Sequence, residues 1–157
     1  MSGARTIQPK RIADALLTAA DEVDFAFLLG SARAGRVKSG SDVDVAVFVK
    51  PGVPVGIELM AKLAGLVEDA CGNRAECDLG VLNRAGPIFR FEALRGVRLF
   101  VRPERMEEYA AFYSLACREY EDCVEDMRRQ RTSNNASENM SGLKGCKSSW
   151  PSPSPTK

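Results

Sequence analysis

Two aspartates, Asp42 and Asp44, open the apolar run DVDVAVFV and lie two residues apart. Strand side chains alternate between faces, so an i, i+2 pair shares one face. Asp42 and Asp44 therefore point the same way as Ala46 and Phe48, while Val43, Val45, Val47 and Val49 line the opposite, buried face. Two adjacent carboxylates repel each other and call for a cation between them. Mg²⁺ takes oxygen ligands, commonly one or two carboxylates together with substrate phosphates. Upstream, the apolar run FAFLLG ends at Gly30 and Ser31. Gly30 permits a tight turn and a close approach of phosphate to the backbone. Ser31 is a good N-cap, and free N–H groups at such a position favour anions. Arg33, Arg36 and Lys38 add positive charge, and Ser41 directly precedes the aspartates. One strand end thus offers a phosphate cradle and the next a metal clamp, a combination suited to a metal-bound nucleoside triphosphate. Taken alone, the doublet reads as turn or capping aspartates. The Gly-Ser spacing and the two apolar strands favour the chemical reading.

The elements that must position these groups follow from periodicity. Residues 8–20 read as a helix, with Pro9 in its first turn and Ile12, Ala15, Leu16 and Ala19 as its stripe. Residues 23–29 form a strand apolar almost throughout, as expected of a central strand covered on both faces. Residues 30–41 are a loop, 42–49 the aspartate strand, and 57–70 a helix burying Leu59, Leu63, Leu66, Val67 and Ala70. Residues 76–82, ECDLGVL, are the third strand: Asp78 faces one way with Glu76 and Gly80, and Cys77, Leu79 and Val81 face the other. A lone aspartate in an apolar strand is costly unless it is used or paired. Asp78 is thus a third candidate carboxylate, with Glu76 as the fallback and a pair with Arg74 as the structural alternative. Residues 83–96 give a turn and a helix with Ile88, Phe91 and Leu94 as its buried stripe. Residues 97–101 form an edge strand, with Arg98 and Arg102 as outward charges. Residues 105–131 form a long helix whose Met106, Tyr109, Tyr113, Ala116, Tyr120, Cys123 and Met127 make a narrow seam. Its distal part suits a partner protein or a second copy of the chain. The expected fold class is α/β (α+β): a small mixed sheet, helices mainly on one side, and a long C-terminal helix. The expected domain is 1–131, followed by a Ser-, Asn- and Pro-rich disordered tail, 132–157.

Composition narrows the classes. With 157 residues and 45% hydrophobic content, the chain can bury one real core. A formal net charge of +1 argues against a strongly basic nucleic-acid binder. No apolar run approaches the ~18 residues of a membrane span, and no secretory apolar core opens the chain. The five cysteines are odd in number and form no CxxC, which points to reduced thiols in a cytoplasmic protein. With no histidine, the chain lacks the common Zn²⁺ patterns and any Ser-His-Asp or Cys-His catalysis.

Gly30-Ser31, ten residues, then Asp42-Val43-Asp44 resembles the GS-x10-DxD signature of DNA polymerase β-like nucleotidyltransferases. Length and flanks look like the minimal nucleotidyltransferases, the MNT partners of HEPN toxins, over residues 7–131. The resemblance implies the polymerase β-like fold. It also implies a two-metal Mg²⁺ site on Asp42, Asp44 and Asp78, with Asp78 able to take the acceptor's proton. Gly30, Ser31, Arg33, Arg36 and Ser41 would then bind the nucleotide, with ATP as the substrate. Many members carry Ala-Arg-Gly in the loop where this chain has Arg33-Ala34-Gly35, so an arginine contact to phosphate would come from a shifted position. The implied activity is transfer of AMP to a tyrosine of a cognate HEPN toxin. One alternative is a small-molecule transferase of the aminoglycoside-modifying kind, which would need an acceptor-binding domain not evident here. The other is an inactive nucleotide-binding antitoxin that masks its toxin through the long helix. The RNase motif of HEPN proteins needs a histidine, so the chain is not the toxin half.

Overall fold

The computed structural model describes residues 5–30, 36–37, 42–73 and 75–141. The chain divides into two units, residues 1–120 and 121–157. The first unit contains β1 (Arg5–Thr6), α1 (Pro9–Ala19), β2 (Val23–Leu29), β3 (Arg36–Val37), β4 (Val43–Val49), α2 (Ile57–Ala70), β5 (Cys77–Val81), α3 (Pro87–Leu94) and β6 (Val97–Val101). Helix α4 (Met106–Ser141) starts in the first unit and makes up the described part of the second.

Four strands form one mixed sheet in the order β5-β4-β2-β6. β2 pairs antiparallel with both β4 and β6, and β4 pairs parallel with β5. A parallel pair needs a crossover, and α2 supplies it. The two inner strands, β2 and β4, are the most apolar, because both of their faces are covered.

Each face of the sheet has its own core. Val43, Val45 and Val47 of β4, with Ala26 and Leu28 of β2, pack with Ile12 and Leu16 of α1 and Leu59, Leu63 and Val67 of α2. The other face places Phe25, Phe27 and Ala46 with Ala93 of α3 and Phe112 and Ala116 of α4. Helices therefore cover both faces, not mainly one. The second face carries an aromatic cluster, where the Phe25 ring of β2 stacks on Phe48 of β4 at 4.6 Å and meets Phe112 of α4 at 5.3 Å.

A register shift between Val23 and Phe25 puts these two residues on opposite faces and leaves Asp24 between them. Asp24 is fully buried, and its Oδ1 lies 3.3 Å from Arg105 Nε. This is an ion pair without hydrogen-bond alignment. Burial raises the Asp24 pKa above the ordinary carboxylate value, against the opposing pull of Arg105.

Other sequence expectations needed correction. Arg5–Thr6 pairs antiparallel with Arg36–Val37, a short strand inside the segment expected to be a loop. Two-residue strands are too short to leave a periodic signal. Arg102 is not a solvated edge charge: its guanidinium donates to the carbonyls of Val23 at 2.8 Å and Ala20 at 2.8 Å, tying β6 to the end of α1. Arg98 lies over the Tyr109 ring at 5.4 Å. Along α4, Phe112 is buried while Tyr113 is 48% exposed, so the face toward the sheet is rotated from the expected seam. In α3, Ala93 is buried, whereas Ile88 and Phe89 are exposed. α4 also continues past Arg131 to Ser141, through residues expected to belong to the tail. The sequence holds no Gly or Pro from Met106 to Ser141 to stop it. The rest of the expected tail, with Cys146 and Trp150, lies outside the described residues. Among the described residues, no helix is long and apolar enough to cross a membrane.

Gly96 ends the turn between α3 and β6 where the backbone passes close to β2. A Cβ there would lie 2.5 Å from the Leu28 carbonyl oxygen and 3.3 Å from that of Ala93. Gly96→Ala should therefore push β6 from β2 and destabilise the protein by about 1–3 kcal/mol, read as a lower denaturation midpoint. An unchanged midpoint would mean that the turn has room to yield.

Candidate active site

The site lies where the C-terminal end of β2 meets the N-terminal ends of β4 and β5. In the β2–β4 ladder, Leu29 opposes Asp44, so Gly30 emerges beside that carboxylate. In the β4–β5 ladder, Asp44 stands level with Asp78. Neighbouring strands are ~4.8 Å apart, so the two aspartates project side by side from one face. That face is shared with Ala46 and Gly80, the next level of the same ladder. Asp42 precedes β4 and is exposed.

Gly30 is in the left-handed region, with φ +66°, and a Cβ on it would lie 2.9 Å from Asp44 Oδ2. Both the conformation and the closeness of the carboxylate require glycine. The resulting cleft, ≈ 340 Å³, is lined by Leu29, Gly30, Asp44, Val45, Asp78, Gly80 and Phe89.

Backbone partners fix these levels. Glu68 of α2 accepts a hydrogen bond from the Cys77 N–H at 3.0 Å, and the Val43 N–H donates to the Glu76 carbonyl at 2.8 Å. At the far end, the Asn83 side chain accepts from the Val49 N–H and donates to the Val49 carbonyl, both at 2.8 Å, extending the β4–β5 pairing by one level.

The Asp44 pKa is raised, first by burial and then by the negative charges of Asp78 and Asp42. The three carboxylates thus form a site of concentrated negative charge. Among the described residues, no three acidic or cysteine side chains close into a ready-made ion cage. An open row of carboxylates fits Mg²⁺, which completes its shell with water and substrate phosphate. Cys77, beside Asp78, is a poor nucleophile: burial, with Glu68 nearby, pushes its thiol up to about 12.

Three expected site residues, Gly30, Asp44 and Asp78, meet in the cleft, with Asp42 close enough to act on Asp44. Ser31, Arg33, Ser41, Lys38 and Arg74 lie outside the described residues, and Arg36 is described only in its backbone, as part of β3. Glu76 is exposed and does not line the cleft. Phe89, which does, was not expected, because the helical stripe assigned its neighbours Ile88 and Phe91 to the core. Gly80 beneath it was the available signal: a glycine in a strand marks a close approach.

Residues 11–105 match the family model described as polymerase beta, nucleotidyltransferase. The chain belongs to that family. Its fold is shared by solved toxin–antitoxin structures. One is a mutant of the toxin–antitoxin MntA–HpeT, with TM-score 0.62, 18% identity, and 83% of this chain and 98% of that one covered. Another is a toxin–antitoxin with AMP-PNP, with TM-score 0.60, 18% identity, and 83% and 98% covered. A third is a tri-AMPylated Shewanella oneidensis HEPN toxin in complex with MNT antitoxin, with TM-score 0.56, 16% identity, and 82% and 94% covered. No curated protein matches the chain.

The raised Asp44 pKa has a stability consequence. A carboxylate whose folded pKa exceeds its unfolded value favours folding when protonated. That contribution is complete below the unfolded pKa and is lost as pH rises through the folded one. Asp44→Asn should therefore unfold at a higher temperature than wild type at pH 7 in EDTA, and the gain should vanish below about pH 4. A loss of stability at pH 7 would show that the charge is needed structurally. Gly30→Ala should behave oppositely, losing about 1–2 kcal/mol at every pH from the left-handed conformation alone.

Proposed function

We propose that the chain transfers AMP from ATP to a hydroxyl on a partner protein, as the antitoxin of a HEPN toxin, with a tyrosine as the acceptor. The single observation that carries the transfer reading is the level pairing of Asp44 with Asp78, with Gly30 beside Asp44. The choice of partner is supported by the solved structures sharing the fold, which are toxin–antitoxin complexes, one with AMP-PNP and one with an AMPylated HEPN toxin.

The left-handed turn at Gly30 leaves backbone room for the β- and γ-phosphates, and Ser31, Arg33, Arg36 and Ser41 would serve as further contacts from the loop that follows. Asp42, Asp44 and Asp78 would hold Mg²⁺, which when bound would supply charge neutralisation for the phosphates. Asp78 accepts the proton of the acceptor hydroxyl as that oxygen bonds to the α-phosphorus. The bond from the α-phosphorus to the bridging oxygen breaks, and pyrophosphate leaves with its electron pair. Positioning and charge placement supply most of the rate enhancement in such transfers. Met106, Tyr113 and Met127 of α4, each between 44% and 50% exposed, are available for the partner or a second copy.

The test is label transfer from α-labelled ATP with Mg²⁺ to the protein encoded beside this one. Wild type should label it, and the Asp42→Ala/Asp44→Ala double variant should fall to background while keeping its circular dichroism spectrum. Label with neither, while the two proteins co-purify, would indicate an inactive masking antitoxin. No label and no complex would redirect the search to small hydroxylated acceptors.

A further inference from the structure

Among the described residues, Phe89 is the one large aromatic side chain lining the carboxylate cleft, and the transfer chemistry proposed above does not use it. It is 38% exposed at the start of α3, while Ala93 of that helix is buried. Its ring lies on the backbone of β5: a Cβ added to Gly80 would meet Phe89 Cζ at 2.6 Å and Cε2 at 2.9 Å. Gly80 is two residues beyond Asp78 on the same face of the strand, so the ring stands next to that carboxylate along the cleft.

The ring is held there. The adjacent Arg90 donates from Nε to the Leu82 carbonyl at 3.0 Å and from Nη2 to the Asn83 carbonyl at 3.0 Å, and it pairs with Glu119 at 3.4 Å. These contacts lock the start of α3 to the segment following β5. An apolar ring fixed among carboxylates and open to water gains from being covered by another apolar group.

Its side of the cleft indicates which group that is. Strand order places Gly30 just past the end of β2, Asp44 on β4 in the middle, and Asp78 with Gly80 on β5 at the far edge. Under the transfer reading, the triphosphate lies toward Gly30. In-line displacement brings the attacking oxygen from the side opposite to the leaving pyrophosphate, which is the β5 side. Phe89 therefore flanks the acceptor and not the phosphates.

We infer that Phe89 is a specificity-determining residue whose ring packs against an aromatic acceptor, placing a phenolic hydroxyl at Asp78. A phenol brings a ring of matching size for edge or offset packing, with its hydroxyl projecting beyond that ring toward the carboxylate. An aliphatic alcohol such as serine leaves Phe89 uncovered. This inference rests on the transfer reading.

The experiment measures transfer of label from α-labelled ATP to N-acetyltyrosinamide and to N-acetylserinamide, with ATP affinity measured separately. Wild type should favour the tyrosine compound. Phe89→Ala and Phe89→Leu should each raise the KM for N-acetyltyrosinamide by about tenfold, leave ATP affinity within about twofold, and erase the preference over serine. Phe89→Trp, which restores a ring, should recover most of the loss. Phe89→Leu keeps apolar bulk, so it decides the matter if Phe89→Ala folds poorly. An unchanged KM, or an equal loss on the serine compound, would overturn the role of Phe89 alone. A loss of ATP affinity of similar size would reassign the ring to the nucleotide base. If wild type labels neither compound nor any protein, the transfer reading fails and this inference fails with it.

Discussion

Strand register is the constraint on which the rest of this protein depends. Asp44 stands level with Asp78 because β4 and β5 run parallel in one fixed register, and Gly30 reaches Asp44 because β2 opposes β4 in another. A slip of one residue in either ladder would turn every side chain of that strand to the other face. The apolar halves of the strands forbid it. Val43, Val45 and Val47 are packed against α1 and α2, and exchanging them with Asp44 and Ala46 would bury a carboxylate in that core. Asn83 and Glu68 bond to the backbone at opposite ends of the β4–β5 pair and hold the levels further.

The same packing creates an electrostatic conflict at one end of the sheet. The core brings three aspartates close enough that Asp42 and Asp78 both raise the pKa of Asp44. Nothing in the core needs them there. At the opposite end of β2, Asp24 is buried with Arg105 beside it, a buried carboxylate given a counter-charge from the chain itself. A carboxylate cluster with no such partner shown among the described residues suits the proposed role, in which the counter-charge arrives with the substrate.

What was legible in the sequence was whatever carried a period or a spacing. The strand Val23–Leu29 and the helix Ile57–Ala70 have the bounds their patterns predict. The shared face of Asp44, Ala46 and Phe48 follows from alternation alone. What was not legible depended on partners distant in sequence. The carbonyl contacts of Arg102 join it to residues 79 and 82 positions away, and no local pattern reports such contacts. Phe112 is core and Tyr113 is half exposed because a helix lying on a sheet buries a different face from one that meets a single helix along a narrow seam. Residues 132–141 read as a polar tail by composition, yet composition does not stop a helix that meets neither glycine nor proline. Phe89 was hidden by the same stripe logic that placed α3 correctly, because its use depends on Gly80 of a neighbouring strand.

The role proposed for the aligned aspartates is to hold a cation-bound nucleoside triphosphate. The most direct measurement is calorimetric titration of a non-hydrolysable ATP analogue into the protein, with Mg²⁺ present and then in EDTA. Binding with Mg²⁺ should weaken by at least about tenfold in EDTA, since the bare carboxylates repel a bare triphosphate. Equal affinity in both buffers would show that the triphosphate does not lie on Asp42, Asp44 and Asp78, and that these carboxylates have another role.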